Sequence, residues 1–221
     1  VNQPRVFTIA VGFIHQCRRP NGWLGRFVIR GMNRRHSKVT DWGLEHVTVR
    51  RSDIVLDVGC GGGRTIAKLA ALATAGKVYG ADFSGTSVAA ARRSNRNTIR
   101  EGRVAIVQSS VSALPFPDSR FDVVTAVETH YYWPDLVGDL REVRRVLKPG
   151  GTFALIAESY RGGRHDRALA HLDTLNRRGI MKYAFLTVPE HRSLLTQAGF
   201  SDVEVFEKYE KNWLCAVGTK P

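Results

Sequence analysis

Three glycines, at positions 59, 61 and 63, close the run Val55-Leu-Asp-Val-Gly-Cys-Gly-Gly-Gly63, between a short apolar segment and a helical one. Glycine lets a backbone turn tightly and approach a ligand closely, and such a turn at the carboxyl end of a strand is where open α/β sheets hold nucleotide-like ligands. Two carboxylates accompany it. Asp57, two residues before Gly59, could meet a ligand ammonium or simply bond the loop amides, as aspartates beside turns often do. Asp82, at the end of the next apolar run, could accept hydrogen bonds from both hydroxyls of a ribose, which points to an adenosine-type ligand. The dinucleotide-binding pattern G-x-G-x-x-G is incomplete, because Arg64 stands in the place of its third glycine.

The elements that must position these residues follow from periodicity. Short apolar runs alternate with helical stripes from residue 53 onward, the pattern of a parallel sheet covered on both faces. Strands are expected at 54–58, 77–82, 104–108, 121–127 and 152–157. The first helix should run from about Arg64 to Thr74, with Ile66, Leu69, Ala70 and Ala73 inward and Gly76 as a stop. Ser84 can cap a second, whose Val88 and Ala91 face inward and which should end near Asn95–Asn97. Leu136, Leu140, Val143 and Leu147 mark another helical stripe, ended by Pro149-Gly150-Gly151. Thr187 and Glu190 have capping-box spacing for a later helix that stops at Gly199, and 202–209 with 213–219 reads as a hairpin.

Four blocks then occur in order: the glycine run, Gly80-Ala-Asp-Phe-Ser84, Leu114-Pro-Phe116 with Phe121-Asp-Val-Val124, and Val146-Leu-Lys-Pro-Gly-Gly151. With them, residues 53–158 resemble a class I S-adenosylmethionine (SAM)-dependent methyltransferase of the ubiquinone/menaquinone-biosynthesis (type 11) group, and the likeness extends faintly to Ala198-Gly-Phe-Ser-Asp202. The resemblance implies a doubly wound, Rossmann-like, seven-stranded, mostly parallel sheet with the last strand antiparallel. It also implies SAM as cofactor and S-adenosylhomocysteine as product. Asp57, Gly59, Cys60, Gly61 and Gly63 would surround the methionine moiety, Asp82 the ribose, and Phe83 the adenine, with Ser110 and Val111 close by. Members of the group often place an aspartate near position 110; Ser110 lacks that charge, so its contact should be weaker.

Methyl transfer is an in-line displacement at a sulfonium carbon, which asks mainly for positioning and exclusion of water. The segment Glu128-Thr-His-Tyr-Tyr-Trp133 begins where the fourth strand ends. By resemblance Glu128 lines the methionine half of the cofactor. His130 and Tyr131 are the candidate catalytic groups, His130 as a base with an ordinary pKa near neutrality. Tyr132, Trp133 and Trp42 are candidate substrate contacts, with helix-sealing packing the alternative for Trp133. The segment lacks the Asn/Asp-Pro-Pro-aromatic motif of one large group of base and amide N-methylating enzymes, and no cysteine stands on the fourth or fifth strand for adduct or arsenic chemistry. A small-molecule oxygen, nitrogen or carbon acceptor remains.

The chain has 221 residues, enough for one sizeable core, with 43% hydrophobic and 24% charged residues and a net charge of +13. Residues 1–51 hold ten Lys/Arg against Asp41 and Glu45, hence +8 of that charge. Residues 1–50 are expected to form a basic helical lid, with Leu24, Phe27, Val28 and Gly31 on its packing face and His36 and Trp42 nearest a ligand, over a domain of residues 51–221. Residues 159–186 would be a substrate-cap insertion. Trp23, Phe27 and Trp42 among the arginines admit RNA, or a protein, as an alternative acceptor. An NAD(P)-dependent oxidoreductase and a non-catalytic SAM-binding protein are the remaining alternatives. Cys17, Cys60 and Cys215 have no metal-ligand spacing, so free thiols, no metal and a cytoplasmic setting are expected. Val6–Ile14 is too short to span a bilayer and has no small-residue cleavage site, so neither anchor nor signal peptide is expected.

Overall fold

The computed structural model describes residues 21–166, 169 and 185–221. Alternating apolar runs become seven strands in one sheet: β1 (Ile54–Val58), β2 (Lys77–Asp82), β3 (Val104–Gln108), β4 (Phe121–Val127), β5 (Leu147–Ala157), β6 (Ser201–Lys208) and β7 (Trp213–Thr219). Their spatial order is β3-β2-β1-β4-β5-β7-β6. β1 through β5 are parallel neighbours, and β7 runs antiparallel to both β5 and β6. Strand order reverses at β1, so a crevice opens between the carboxyl ends of β1 and β4, where open α/β sheets take ligands.

The central strands are apolar on both faces because helices cover both. Leu56, Phe121, Val124, Phe153 and Leu155 are fully buried in the larger core, and Val55, Ile66, Leu69 and Val78 in a second one across the sheet. The helices are α1 (Gly22–Arg35), α2 (Ser37–Leu44), α3 (Arg64–Leu72), α4 (Gly85–Ser94), α5 (Arg96–Arg100), α6 (Leu136–Val146) and α7 (Val188–Gln197). Ser84 caps α4, and Thr187 with Glu190 forms the complete capping box of α7, as their spacing predicts. The hairpin turn is a short 3₁₀ segment ending at Asn212, which adopts φ 57°.

Several features differ from expectation. α3 ends at Leu72 because Ala73 leaves helical geometry. The polar run after α4 forms a further short helix, α5, instead of a loop. β5 begins at Leu147, since Leu147 pairs with Phe121 before a register shift brings Thr152 opposite Val123. In α1 the expected helix forms but its packing face is rotated: Val28 and Ile29 are buried, while Leu24 and Phe27 point outward. α1 packs on α4, and α2 on α3, β5 and β7. Gly43 lets α2 lie directly on Ile156, for a Cβ there would fall 2.5 Å from that side chain. The segment expected as a substrate cap, 159–186, lies largely outside the described residues.

Candidate active site

The crevice between the β1 and β4 ends holds a cavity of about 300 Å³, within the size range of small-molecule sites. Its floor is the glycine turn. Gly59 has φ 72°, and a Cβ there would stand 2.1 Å from Thr129 Oγ1, so both backbone conformation and the neighbouring chain require glycine. The amides of Gly59 and Cys60 donate to the Ala81 carbonyl at 2.8 and 3.1 Å, tying the turn to the end of β2. Gly63 answers to a different need. Its Cβ would clash with Ala91 and Asn95 of the neighbouring helix, and Asn95 Nδ2 donates to its carbonyl at 2.9 Å. Gly63 therefore lets α4 approach and lies outside the cavity lining.

Asp82 reaches the cavity from β2. Its Oδ2 accepts from the Gly61 amide and its Oδ1 from the Ser84 amide, both at 2.9 Å. The Ser87 side chain is a third partner, which leaves the carboxylate limited further acceptor capacity for a ligand. Burial raises the Asp82 pKa, and the two amide bonds and the Ser87 bond oppose that rise. Phe83 beside it is 41% exposed, a large apolar ring left at the cavity edge, and Ser110 and Val111 line the same end. Ser110 Oγ accepts from the Ser112 amide at 3.2 Å, so it is partly committed to its own loop. A carboxylate and an aromatic ring thus stand together at this end of the cavity.

Asp57, by contrast, is buried behind the turn and does not line the cavity. Thr125 Oγ1 donates to its Oδ1 at 2.8 Å. Burial raises its pKa to about 7, opposed by that bond and assisted by the nearby Asp82 charge.

The opposite end is lined by Glu128, Thr129, Tyr132, Trp133, Pro134 and, from the N-terminal helices, His36. Ile29, Met32 and Thr40 complete this roof. Arg64 also borders the cavity and donates from Nε to Ser37 Oγ at 3.0 Å, joining α3 to α2. Glu128 holds φ 56°, unusual for a non-glycine residue. Its Oε1 accepts from the Glu158 amide and, at 3.2 Å, from the Tyr131 hydroxyl. Burial and then the Glu158 charge raise the Glu128 pKa to about 8. Burial and then the Arg35 charge lower that of His36 to about 4.

The aromatic segment after β4 does not present all its side chains to this cavity. A 3₁₀ turn at His130–Tyr132 sends Tyr132 and Trp133 to the lining and His130 and Tyr131 inward. His130 is wholly buried against His191, with neither ring nitrogen hydrogen-bonded, and burial pushes its pKa well below the ordinary value. An imidazole so placed cannot reach a substrate proton, so the structure does not support the expected base. Tyr131 is likewise internal: its hydroxyl accepts from the Ser159 amide at 3.1 Å while donating to Glu128. Trp42 packs edge-on to His46, at 4.9 Å between centroids, and beside Trp213, outside the lining. Thr40 and Met32 line the cavity and Glu158 stands beside it without being expected from the sequence. Of these, Glu158 alone carries a usable signal, as the residue that follows the carboxyl end of β5.

Residues 56–155 match the family model described as a methyltransferase domain. The chain is 31% identical over 177 residues to the methyltransferase GfsG of Streptomyces halstedii, covering 79% of this chain and 62% of that one. It is 34% identical over 119 residues to the 27-O-demethylrifamycin SV methyltransferase of Amycolatopsis mediterranei, covering 54% and 43%. The chain thus spans less than two thirds of the length of these curated relatives. Among solved structures, a Haloferax volcanii putative methyltransferase in complex with the Trm112 methyltransferase activator superposes with a TM-score of 0.74 at 24% identity, covering 89% of this chain and 94% of that one. Fold, glycine turn and family match agree: residues 56–155 of this chain form a methyltransferase domain, with the features of the class I SAM-dependent type 11 group.

Proposed function

We propose that this protein transfers the methyl group of SAM to a small-molecule acceptor. The observation that carries the reading is one continuous cavity with two unlike ends, Asp82, Phe83 and Ser110 at one and His36, Glu128, Tyr132 and Trp133 at the other. In this account Asp82 takes the ribose hydroxyls, Phe83 the adenine, and the 59–62 backbone the methionine moiety, with Asp57 buried behind the turn and bonded to Thr125. The roof made by α1 and α2 acts as the lid. An acceptor lone pair attacks the methyl carbon as the carbon–sulfur bond breaks with its electrons to sulfur, giving S-adenosylhomocysteine. A hydroxyl or amino acceptor also releases its proton. Tyr132 and Trp133 form the wall that excludes water and favours the sulfonium cation. The curated relative that acts on demethylrifamycin supports a small-molecule acceptor.

A second reading, transfer to RNA or protein, draws on Arg30, Arg34, Arg35 and Lys38, all exposed along the two N-terminal helices. Incubation with methyl-labelled SAM and a cell extract, followed by separation by size, distinguishes the readings. Label in the low-mass organic fraction is expected. Label confined to RNA or protein would replace the proposal with the second reading, and binding of SAM without any transfer would make this a non-catalytic SAM-binding protein.

A further inference from the structure

His36, Glu128 and Glu158 come from three separate places in the chain, the α1–α2 junction and the ends of β4 and β5, and meet at the non-adenosine end of the cavity. One ligand atom from each lies within 4.8 Å of the others. His36 Nε2 stands 3.9 Å from Glu128 Oε2 and 3.9 Å from Glu158 Oε2. These spacings are too long for hydrogen bonds. They suit atoms around a shared cation, since two ligands each about 2.1 Å from a metal stand roughly 3–4 Å apart, depending on angle.

The orientation of Glu128 is the second, independent observation. Its side chain is nine-tenths buried, and Oε1 is fully engaged by the Glu158 amide and the Tyr131 hydroxyl. Oε2 is directed toward His36, 3.9 Å from its Nε2. A carboxylate oriented through its other oxygen is how outer partners aim a metal ligand. Tyr131 is itself fixed by the Ser159 amide. Among the described residues, the cation that pairs with the set is Arg35, 3.3 Å from Glu158 Oε2 on a side chain that is 78% exposed.

We infer that His36, Glu128 and Glu158 form a binding site for a divalent first-row transition cation. One imidazole and two carboxylates are a donor set suited to manganese, iron, cobalt or zinc ions, and less to calcium, which takes more oxygen ligands. Two of the three ligands line the cavity, so the remaining coordination positions suit water or an oxygen-bearing ligand. This reverses the expectation of no metal. That expectation rested on cysteine spacing, whereas these ligands are 92 and 30 positions apart in sequence and only folding assembles them.

The full chain is titrated with manganese(II), following free ion by electron paramagnetic resonance, while SAM binding is measured on the same sample by calorimetry. One equivalent should bind. His36→Ala and Glu158→Gln should each weaken manganese binding tenfold or more. Arg35→Ala should strengthen it severalfold by removing the competing cation, an effect that an ion-pair latch between α1 and β5 would not produce. The inference is overturned if the folded wild-type chain binds no manganese at millimolar concentration, or if binding is unchanged in both ligand variants. SAM binding without manganese would end this inference alone. Manganese binding without SAM binding would end the methyltransferase reading alone.

Discussion

The two ends of the cavity are built in opposite ways. The adenosine end comes from short stretches, residues 59–62 and 82–83 with Ser110 and Val111, with the turn and the end of β2 held together by backbone amides. The other end is drawn from α1, α2, the 128–134 segment and the residue after β5, four parts far apart in sequence. Hydrogen bonds between the ends of neighbouring strands preform the first end; the second depends on the packing of α2 against β5 and β7. A turn set by its own glycines presents the same surface whatever acceptor is used, while a composite wall can change with any of its parts.

The largest expected effect lies in the turn. Gly59→Ala must force a Cβ into Thr129 at a left-handed φ, and should cost roughly hundredfold or more in SAM affinity, measured by calorimetry. A loss under threefold would show that the floor is not preformed. Asp82→Ala comes next. It removes the ribose acceptor together with the anchors of the Gly61 and Ser84 amides, with an expected loss of about ten- to hundredfold, since each bond to a charged group contributes ~1.5–3 kcal/mol. Asp82→Asn should fall between wild type and Asp82→Ala.

The pH dependence sharpens the contrast differently. Asp57 has its pKa raised to about 7 in the folded protein, above its ordinary value near 3.8. A raised acid binds protons more readily folded than unfolded, so its contribution is complete below about pH 4 and is lost as pH rises toward 7. Relative to wild type, Asp57→Asn should therefore gain melting temperature progressively between pH 4 and 7 and level off above. A difference independent of pH would mean that Asp57 is ionised and solvated. The smallest effect belongs to Ser110→Ala, since Ser110 is partly bonded to its own loop. A SAM affinity within about threefold of wild type is expected, and a loss matching Asp82→Ala would contradict the assigned ranking.

The same division explains what sequence could reveal. β1, β2, β3, β4 and β7 occupy the residues that apolar runs predict, and Asp82 stands beside the glycine turn as its spacing implies, because these features depend on neighbours along the chain. Asp57 and Gly63 belong to the same motif, yet one sits behind the turn and the other serves helix packing. A sequence motif locates a turn but does not say which side chains face outward. The inward placement of His130 has a related cause: one 3₁₀ turn decides which of four successive polar and aromatic side chains enter the cavity, and no periodicity marks it. The grouping of His36, Glu128 and Glu158 has no local signature at all.

Calorimetric titration of the purified chain with SAM, S-adenosylhomocysteine and NAD(P)H tests most directly that this cavity is a SAM site. SAM and S-adenosylhomocysteine should each bind at one site per chain, with both affinities reduced in Asp82→Ala and NAD(P)H giving no saturable signal. Saturable NAD(P)H binding without SAM binding, or SAM affinity unchanged in Asp82→Ala, would contradict the account.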